Sequence, residues 1–257
     1  MPWNPDTYNQ FKSIRYQPFF DLVGFISGDQ LKNGIDIGCG TGEQTSILSK
    51  KFEKAHFLGI DPSREMLSKS MDLEHPNLSF KIATVEEVMN SGVKKKWDLV
   101  FSNAALQWSE NHRELFPELI AHVSDTGQFA VQMPVQQENI LNQILLDLAQ
   151  ESPFVEFLGG WKRESPVLSI DEYAQILFEG GLKEIQILQK VYPIIADGPE
   201  KLVDFISGSA LIPYMERLSK SEQKRFLNEY KSRIEKTFQK FPAIYAFKRL
   251  LLYGSKV

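Results

Sequence analysis

Ile35-Asp36-Ile37-Gly38-Cys39-Gly40-Thr41-Gly42 is a short apolar run that breaks into a glycine-rich turn, after which Thr41 to Phe52 takes up helical spacing through Ile47, Leu48 and Phe52. Strand, tight loop and helix in that order form the unit on which α/β proteins seat nucleotide-like cofactors. The strand tip must approach the ligand closely, and Gly38, Gly40 and Gly42 leave the room. Spacing narrows the choice. A dinucleotide fingerprint, G-x-G-x-x-G, would need glycine at position 43, where the residue is Glu43. A carboxylate at the start of that helix opposes a bound pyrophosphate. A cofactor without phosphate suits the loop better: Asp36 supplies an acceptor for an ammonium group, and the Gly38 and Gly40 backbone donors for a carboxylate.

Outward from the loop, the same alternation repeats. Pro18 to Ile26 has helical spacing. Ala55 to Ile60 reads as the second strand, and Asp61-Pro62-Ser63 as the opening of a helix, with Asp61 at the cap and Pro62 in the first helical position. Leu78 to Ile82, Trp97 to Ser102 and Gly127 to Met133 read as strands, with a helix over Asn111 to Val123. A helical stretch follows near Glu138 to Gln150, then a loop from Ser152 to Ser169. Ile185 to Tyr192 and Ala246 to Tyr253 read as the last strands, around a helical insertion from Pro199 to Lys240. The expectation is a Rossmann-like α/β fold: a seven-stranded, mostly parallel sheet, helices on both faces, and a helical insertion in the C-terminal half.

The 257 residues suit one large domain, and a composition 42% hydrophobic and 24% charged is that of a globular protein. A net charge of -4 offers no general attraction to nucleic-acid phosphates, so a small-molecule acceptor is expected and nucleic acid is not. The single cysteine, Cys39, excludes an intrachain disulfide and fits a reducing, cytoplasmic setting. Neither a signal peptide nor a membrane span is expected. The four histidines, His56, His75, His112 and His122, lack metal-ligand spacing, and no metal is expected. The sequence does not disclose the oligomeric state.

Asp61, roughly 20 residues beyond the loop, stands where an acid binds a ribose diol, and it also suits a helix cap. Three blocks now carry a resemblance: Asp36 to Gly42, Gly59-Ile60-Asp61-Pro62-Ser63-Arg64-Glu65-Met66-Leu67, and Trp97-Asp98-Leu99-Val100-Phe101-Ser102-Asn103-Ala104-Ala105-Leu106-Gln107-Trp108. They resemble the signature blocks of class I S-adenosylmethionine-dependent methyltransferases. More narrowly, Trp3-Asn4-Pro5-Asp6-Thr7-Tyr8 with Phe11, Arg15 and Pro18, then Ser207 to Tyr214, then Phe247-Lys248-Arg249-Leu250, resemble the trans-aconitate methyltransferase family.

The resemblance implies S-adenosylmethionine as cofactor, held by Asp36, Gly38, Cys39, Gly40, Gly42, Asp61, Pro62, Met66, Thr84, Val85 and Asn103. It implies Trp3, Tyr8, Arg15, Gln107, Trp108 and Arg249 around the acceptor, residues 1–30 as an N-terminal lid, and residues 134–181 and 199–241 as substrate-side insertions. Two departures stand out. Ala83-Thr84-Val85 replaces the family's Ala-Asp-Ile, so Thr84 would meet the adenine in place of an aspartate, and Asp125-Thr126-Gly127 replaces Pro-Gly-Gly before the fifth strand.

Transfer from a sulfonium has an activated leaving group, so alignment and electrostatics suffice and no catalytic nucleophile is required. A carboxylate acceptor is ionised at neutral pH and needs no general base. Cations that could hold a polycarboxylate are Arg15, Lys162, Arg163, Arg217, Lys248 and Arg249. Lys248 and Arg249, adjacent on a strand, point to opposite faces. Trp108 serves equally as a wall for a cation or as packing. The expected activity is esterification of a trans-aconitate-like acid. The rivals are another acceptor (a carrier-bound or fatty-acid-like carboxyl, or a phenol) and a regulatory module that binds the cofactor without turnover.

Overall fold

Apolar runs and amphipathic stretches alternate along the chain, and the computed structural model, which describes residues 12–89 and 96–256, turns them into strands and helices. In chain order they are α1 (Lys12–Val23), β1 (Asn33–Ile37), α2 (Glu43–Lys51), β2 (His56–Asp61), α3 (Arg64–Leu67), β3 (Leu78–Ile82), α4 (Val85–Met89), β4 (Trp97–Asn103) and α5 (His112–Ala121). There follow β5 (Val123–Pro134), α6 (Ile140–Ala149), α7 (Phe154–Phe157), α8 (Ile170–Glu179), β6 (Lys183–Ala196), α9 (Pro199–Ser207), α10 (Ile212–Arg217), α11 (Lys220–Phe238) and β7 (Ala243–Ser255).

The seven-stranded sheet runs β3-β2-β1-β4-β5-β7-β6. The first five strands in that order are parallel, and β7 is antiparallel to β5. This is the expected mostly parallel Rossmann-like sheet. The chain moves outward from β1 through β2 to β3, then returns to lay β4 on the other side of β1. The loops after β1 and β4 therefore diverge, which is the switch point where open α/β sheets bind ligands.

Contacts divide the described chain into two compact units. The first holds residues 18–134, 166–190 and 249–256. On one face of its sheet, Phe19 and Leu22 of α1 and Leu48 of α2 are sealed against Phe57, Leu99, Phe101, Ala130 and Leu251. On the other, Phe116 of α5 meets Phe129 at 5.8 Å and Tyr173 of α8 at 4.9 Å between ring centroids. The second unit holds residues 12–17, 135–165 and 191–248. Its core joins Leu141, Leu145 and Leu148 of α6 to Phe205 of α9 and to Phe226 and Tyr230 of α11. The Tyr230 hydroxyl donates to the Leu141 carbonyl at 3.0 Å.

Three local readings need correction. The first described helix spans Lys12–Val23 and runs through Pro18, whose burial beside Phe19 outweighs the one backbone bond a proline cannot make. Asp61 does not cap a helix and Pro62 does not open one. Asp61 stays in the β2–β3 ladder opposite Ile82, and Ser63 is the cap of α3, its hydroxyl accepting from the Met66 N–H at 3.2 Å. Helix α8 was not read from the sequence, although Ser169-Ile170-Asp171-Glu172 spells its capping box, with both reciprocal bonds formed.

α8 ties the site loops together through His112. The Leu168 N–H donates to the Tyr173 hydroxyl (3.2 Å), which lies 2.6 Å from His112 Nδ1, while Nε2 lies 2.8 Å from the Leu106 carbonyl. Only a neutral ring protonated on Nε2 completes that chain, donating to the carbonyl and accepting from the phenol. Burial pushes the His112 pKa down, against the opposing pull of the Leu106 and Ser109 carbonyls. The folded state therefore binds this proton less readily than the unfolded chain does. His112's contribution to stability is complete above its ordinary pKa of about 6.5 and declines as pH falls below it. Thermal melts between pH 5 and 8 should show a loss on the acid side that His112→Gln reduces. Tyr173→Phe should cost about 1–3 kcal/mol by leaving the Leu168 N–H and Nδ1 without partners, as chemical denaturation would measure.

Candidate active site

Because β1, β2, β3 and β4 are parallel, the segments that follow them all emerge at one edge of the sheet. This places Gly38 to Gly42, Asp61 and Pro62, Thr84 and Val85, and Asn103 side by side. The glycine loop bends back on β2: the N–H groups of Gly38 and Cys39 donate to the Ile60 carbonyl at 2.8 and 2.9 Å. The Gly40 N–H donates to Asp61 Oδ2 at 3.0 Å, and Asp61 Oδ1 accepts from the Ser63 N–H at 2.8 Å. The expectation that Gly38 and Gly40 offer backbone donors to a ligand is thus corrected, since both N–H groups are engaged within the loop. A carboxylate has about four lone-pair sites, so Asp61 keeps acceptor capacity beyond these two bonds.

The loop's own packing demands two of the glycines. Gly38, at φ +73°, would carry a Cβ 2.1 Å from the Ala105 Cβ, and Gly42, at φ +75°, one 2.6 Å from the Phe80 ring. At Gly40 a Cβ would meet only the Met66 methyl, at 3.3 Å, which places Met66 over the loop.

Asp36 is buried on β1, where Thr45 of α2 donates its hydroxyl to Oδ2 at 2.6 Å. Burial raises the Asp36 pKa to about 7; the Thr45 bond works against this, and the neighbouring charge of Asp61 adds to it. Burial, with the charges of Asp36 and Asp61, also pushes the Cys39 thiol up, so it stays protonated and is no nucleophile. Thr84 begins α4 in a reciprocal cap: its hydroxyl oxygen accepts from the Glu87 N–H at 3.2 Å, and its own N–H donates to Glu87 Oε2 at 2.8 Å. One of its two lone pairs therefore has a partner inside the protein. Val85 is buried and Pro62 exposed. Asn103, half-buried at the end of β4, donates to Gln44 Oε1 at 2.9 Å. Thr45 and Gln44, both on α2, went unread in the sequence; their signal was their position in the first turn of the helix that follows the glycine loop.

Gln107 and Trp108 lie on a single helical turn after β4. The Gln107 side chain is buried and donates to the Ala104 carbonyl at 2.7 Å, whereas Trp108 is exposed. Arg249, buried on β7, pairs in register with Pro134 at the end of β5 and so belongs to the same edge. Arg15 lies on α1, and Trp3 and Tyr8 fall outside the described residues. Lys162, Arg163, Arg217 and Lys248 belong to the second unit. There the Arg217 guanidinium lies 3.9 Å above the Trp161 ring, and Lys248 donates to the Glu138 carbonyl. Among the described residues, no group of His, Cys, Asp or Glu could hold a metal ion, and no helix is long and apolar enough to cross a membrane.

Residues 29–181 match the family model described as a methyltransferase domain. A trans-aconitate 2-methyltransferase of Deinococcus radiodurans is 38% identical over 262 residues, covering 100% of this chain and 99% of the relative. One of Escherichia coli O1:K1 is 28% identical, covering 99% and 98%. Among solved structures, the YcgJ protein of Bacillus subtilis has a similar fold (TM-score 0.59, 16% identity, 93% of this chain and 98% of that one). So does a Haemonchus contortus phosphoethanolamine N-methyltransferase solved with S-adenosylhomocysteine (TM-score 0.56, 14% identity, 93% and 52%). A glycine loop at the switch point of such a sheet, in a chain with these relatives, defines an S-adenosylmethionine-dependent methyltransferase of class I. The chain belongs to the methyltransferase family, in the group that contains these trans-aconitate 2-methyltransferases.

The cofactor it uses is S-adenosylmethionine. The loop suits a group with net positive charge and no phosphate: the carboxylates of Asp36 and Asp61 flank it, and Glu43 stands at the helix start where a phosphate would need none. Gly38→Ala should cost about 2–5 kcal/mol, from the left-handed backbone and the collision with Ala105 together, and lower the melting temperature below that of Gly40→Ala, where the backbone is also left-handed (φ +57°) but only a flexible methionine tip must give.

Proposed function

We propose that the protein methylates a carboxylate of a small polycarboxylic acid of the trans-aconitate type, giving a methyl ester. Arg249 carries this reading: a buried guanidinium at the strand edge that also bears the glycine loop, in a chain whose relatives of that name align over its full length. A guanidinium in such a place suits a carboxylate in geometry and charge.

The cofactor supplies a methyl group on a positively charged sulfur. The rest falls to this chain. Asp36, the loop Gly38, Cys39, Gly40 and Gly42, and Asp61 with Pro62 and Met66 hold the cofactor's amino-acid and ribose ends. Thr84, Val85 and Asn103 border the remainder. Arg249 draws in the acid, and Gln107 and Trp108 belong to the acceptor side in this reading. When bound, the cofactor would pass its methyl to a carboxylate oxygen, the C–O bond forming as the C–S bond breaks and the bonding pair staying on sulfur. The reacting sulfonium and carboxylate groups become a neutral thioether and a neutral ester, so a dry site favours the step, and no proton needs to move.

The acid panel is the direct test. Labelled cofactor, incubated with mono-, di- and tricarboxylic acids, should yield a base-labile ester with trans-aconitate among the best acceptors; label transferred to none of the acids would overturn the reading. A second expectation concerns Asp36. With its pKa near 7 before binding, the cofactor's ammonium group should favour the ionised form and expel a proton. Cofactor affinity should rise up to about tenfold per pH unit below pH 7 and level off above it. Calorimetry in buffers of different ionisation enthalpy should detect the released proton, and Asp36→Asn should abolish both effects.

A further inference from the structure

Four adjacent strands, β1, β4, β5 and β7, change character along one face at the edge where the site lies. On that face Gly34 gives way to Asp36, Phe101 to Asn103, Ala130 to Gln132, and, on the antiparallel β7, Leu251 to Arg249. Asp36 pairs with Phe101, Asn103 with Gln132, Gln132 with Leu251, and Pro134 with Arg249. Side chains two apart on a strand share a face, so Asn103, Gln132 and Arg249 form a polar row across the sheet, with the glycine loop at its β1 end.

Gln132 is the anomaly in this row. Its side chain is wholly buried, yet neither its amide nitrogen nor its amide oxygen has a hydrogen-bond partner, and Asn103 Oδ1 beside it also has none. Buried amides are almost always satisfied, and an apolar residue would fill this position without that penalty. Its backbone is anchored: the Gln132 carbonyl accepts from the Ala104 N–H at 2.8 Å, tying it to the turn that carries Gln107 and Trp108. Its neighbours on the face, Asn103 and Pro134, are half-buried, so the sealed amide lies one position below the rim.

We propose that Gln132 holds the reacting carboxylate of the acceptor, while Arg249 holds a carboxylate that does not react; this rests on the acid-methylating reading above. The division follows from charge. The reacting carboxylate loses its negative charge as the ester forms, so a cation placed directly on it would stabilise the ground state more than the transition state. A neutral amide N–H orients one oxygen of that carboxylate and leaves the other nucleophilic. The spectator carboxylate keeps its charge throughout, and a guanidinium binds it equally well before and after transfer.

The test uses the full-length enzyme with a mono- and a tricarboxylate acceptor. Gln132→Met should lower kcat at least thirtyfold for both acids alike, with cofactor affinity within twofold of wild type and a melting temperature equal or higher, because an unsatisfied amide has been removed. Arg249→Met should instead raise KM for the tricarboxylate far more than for the monocarboxylate. Gln132→Glu should regain activity as pH falls, when its protonated carboxyl can donate as the amide does. Unchanged kcat in Gln132→Met, or a loss of activity that follows a loss of melting temperature or cofactor affinity, would overturn the assignment while the acid-methylating function stands. A wild-type enzyme that methylates no acid would overturn both.

Discussion

The tie between the end of β1 and the end of β2 is the constraint on which the rest depends. The Gly38 and Cys39 N–H groups reach the Ile60 carbonyl, and the Gly40 N–H reaches Asp61. Three donors that could face a ligand thus hold the loop's own shape. The shape in turn requires left-handed backbone at Gly38, Gly40 and Gly42. It also brings Ala105, from the turn after β4, to within van der Waals reach of Gly38. The glycine loop and the turn after β4 are therefore packed directly on one another, and a displacement of either would be felt at the other.

Electrostatics around that tie point one way. Burial disfavours ionisation of Asp36, and the charge of nearby Asp61 adds to this. A cationic ligand relieves both effects, whereas an anionic one would aggravate them. Further along the same face the polarity changes, from carboxylates to amides to the guanidinium of Arg249. Charge on this surface is graded from a cation-seeking end to an anion-seeking end, the order in which a sulfonium donor and a carboxylate acceptor would lie. The unsatisfied amide of Gln132 within this gradient carries a cost of about 1–3 kcal/mol that an apolar side chain would avoid, as is common where binding and stability compete for one position.

Much of this was legible in the chain. Asp36-Ile37-Gly38-Cys39-Gly40-Thr41-Gly42 and Glu43 select the fold and turn it away from dinucleotides because backbone clearance and helix-end charge are local properties. The strands were readable for the same reason: strands buried on both faces appear as continuous apolar runs. Local signals also misled. Asp61-Pro62 has the composition of a helix start, but the backbone donors of Gly40 and Ser63 claim Asp61's oxygens, and the cap falls to Ser63. Helix α8 carried its capping box in plain view at Ser169 and Glu172, and was hidden by the irregular stretch before it.

By itself the sequence determined the class of fold, the kind of cofactor and the edge of the sheet where the glycine loop lies, because each rests on spacing and residue type over a few consecutive positions. Tertiary structure alone decided which groups remain available there. The Gly40 N–H was already engaged by Asp61, Asp36 was raised to about 7 by burial, and Thr45 and Gln44 were drawn in from α2. Gln132 could not be singled out from its neighbours in the chain. Its significance comes from strands β4 and β7, about 30 and 120 residues away, which turn an ordinary polar residue into a buried amide without a partner. Desolvation and hydrogen-bond satisfaction depend on everything packed around an atom, and that is settled only when distant segments of the chain meet.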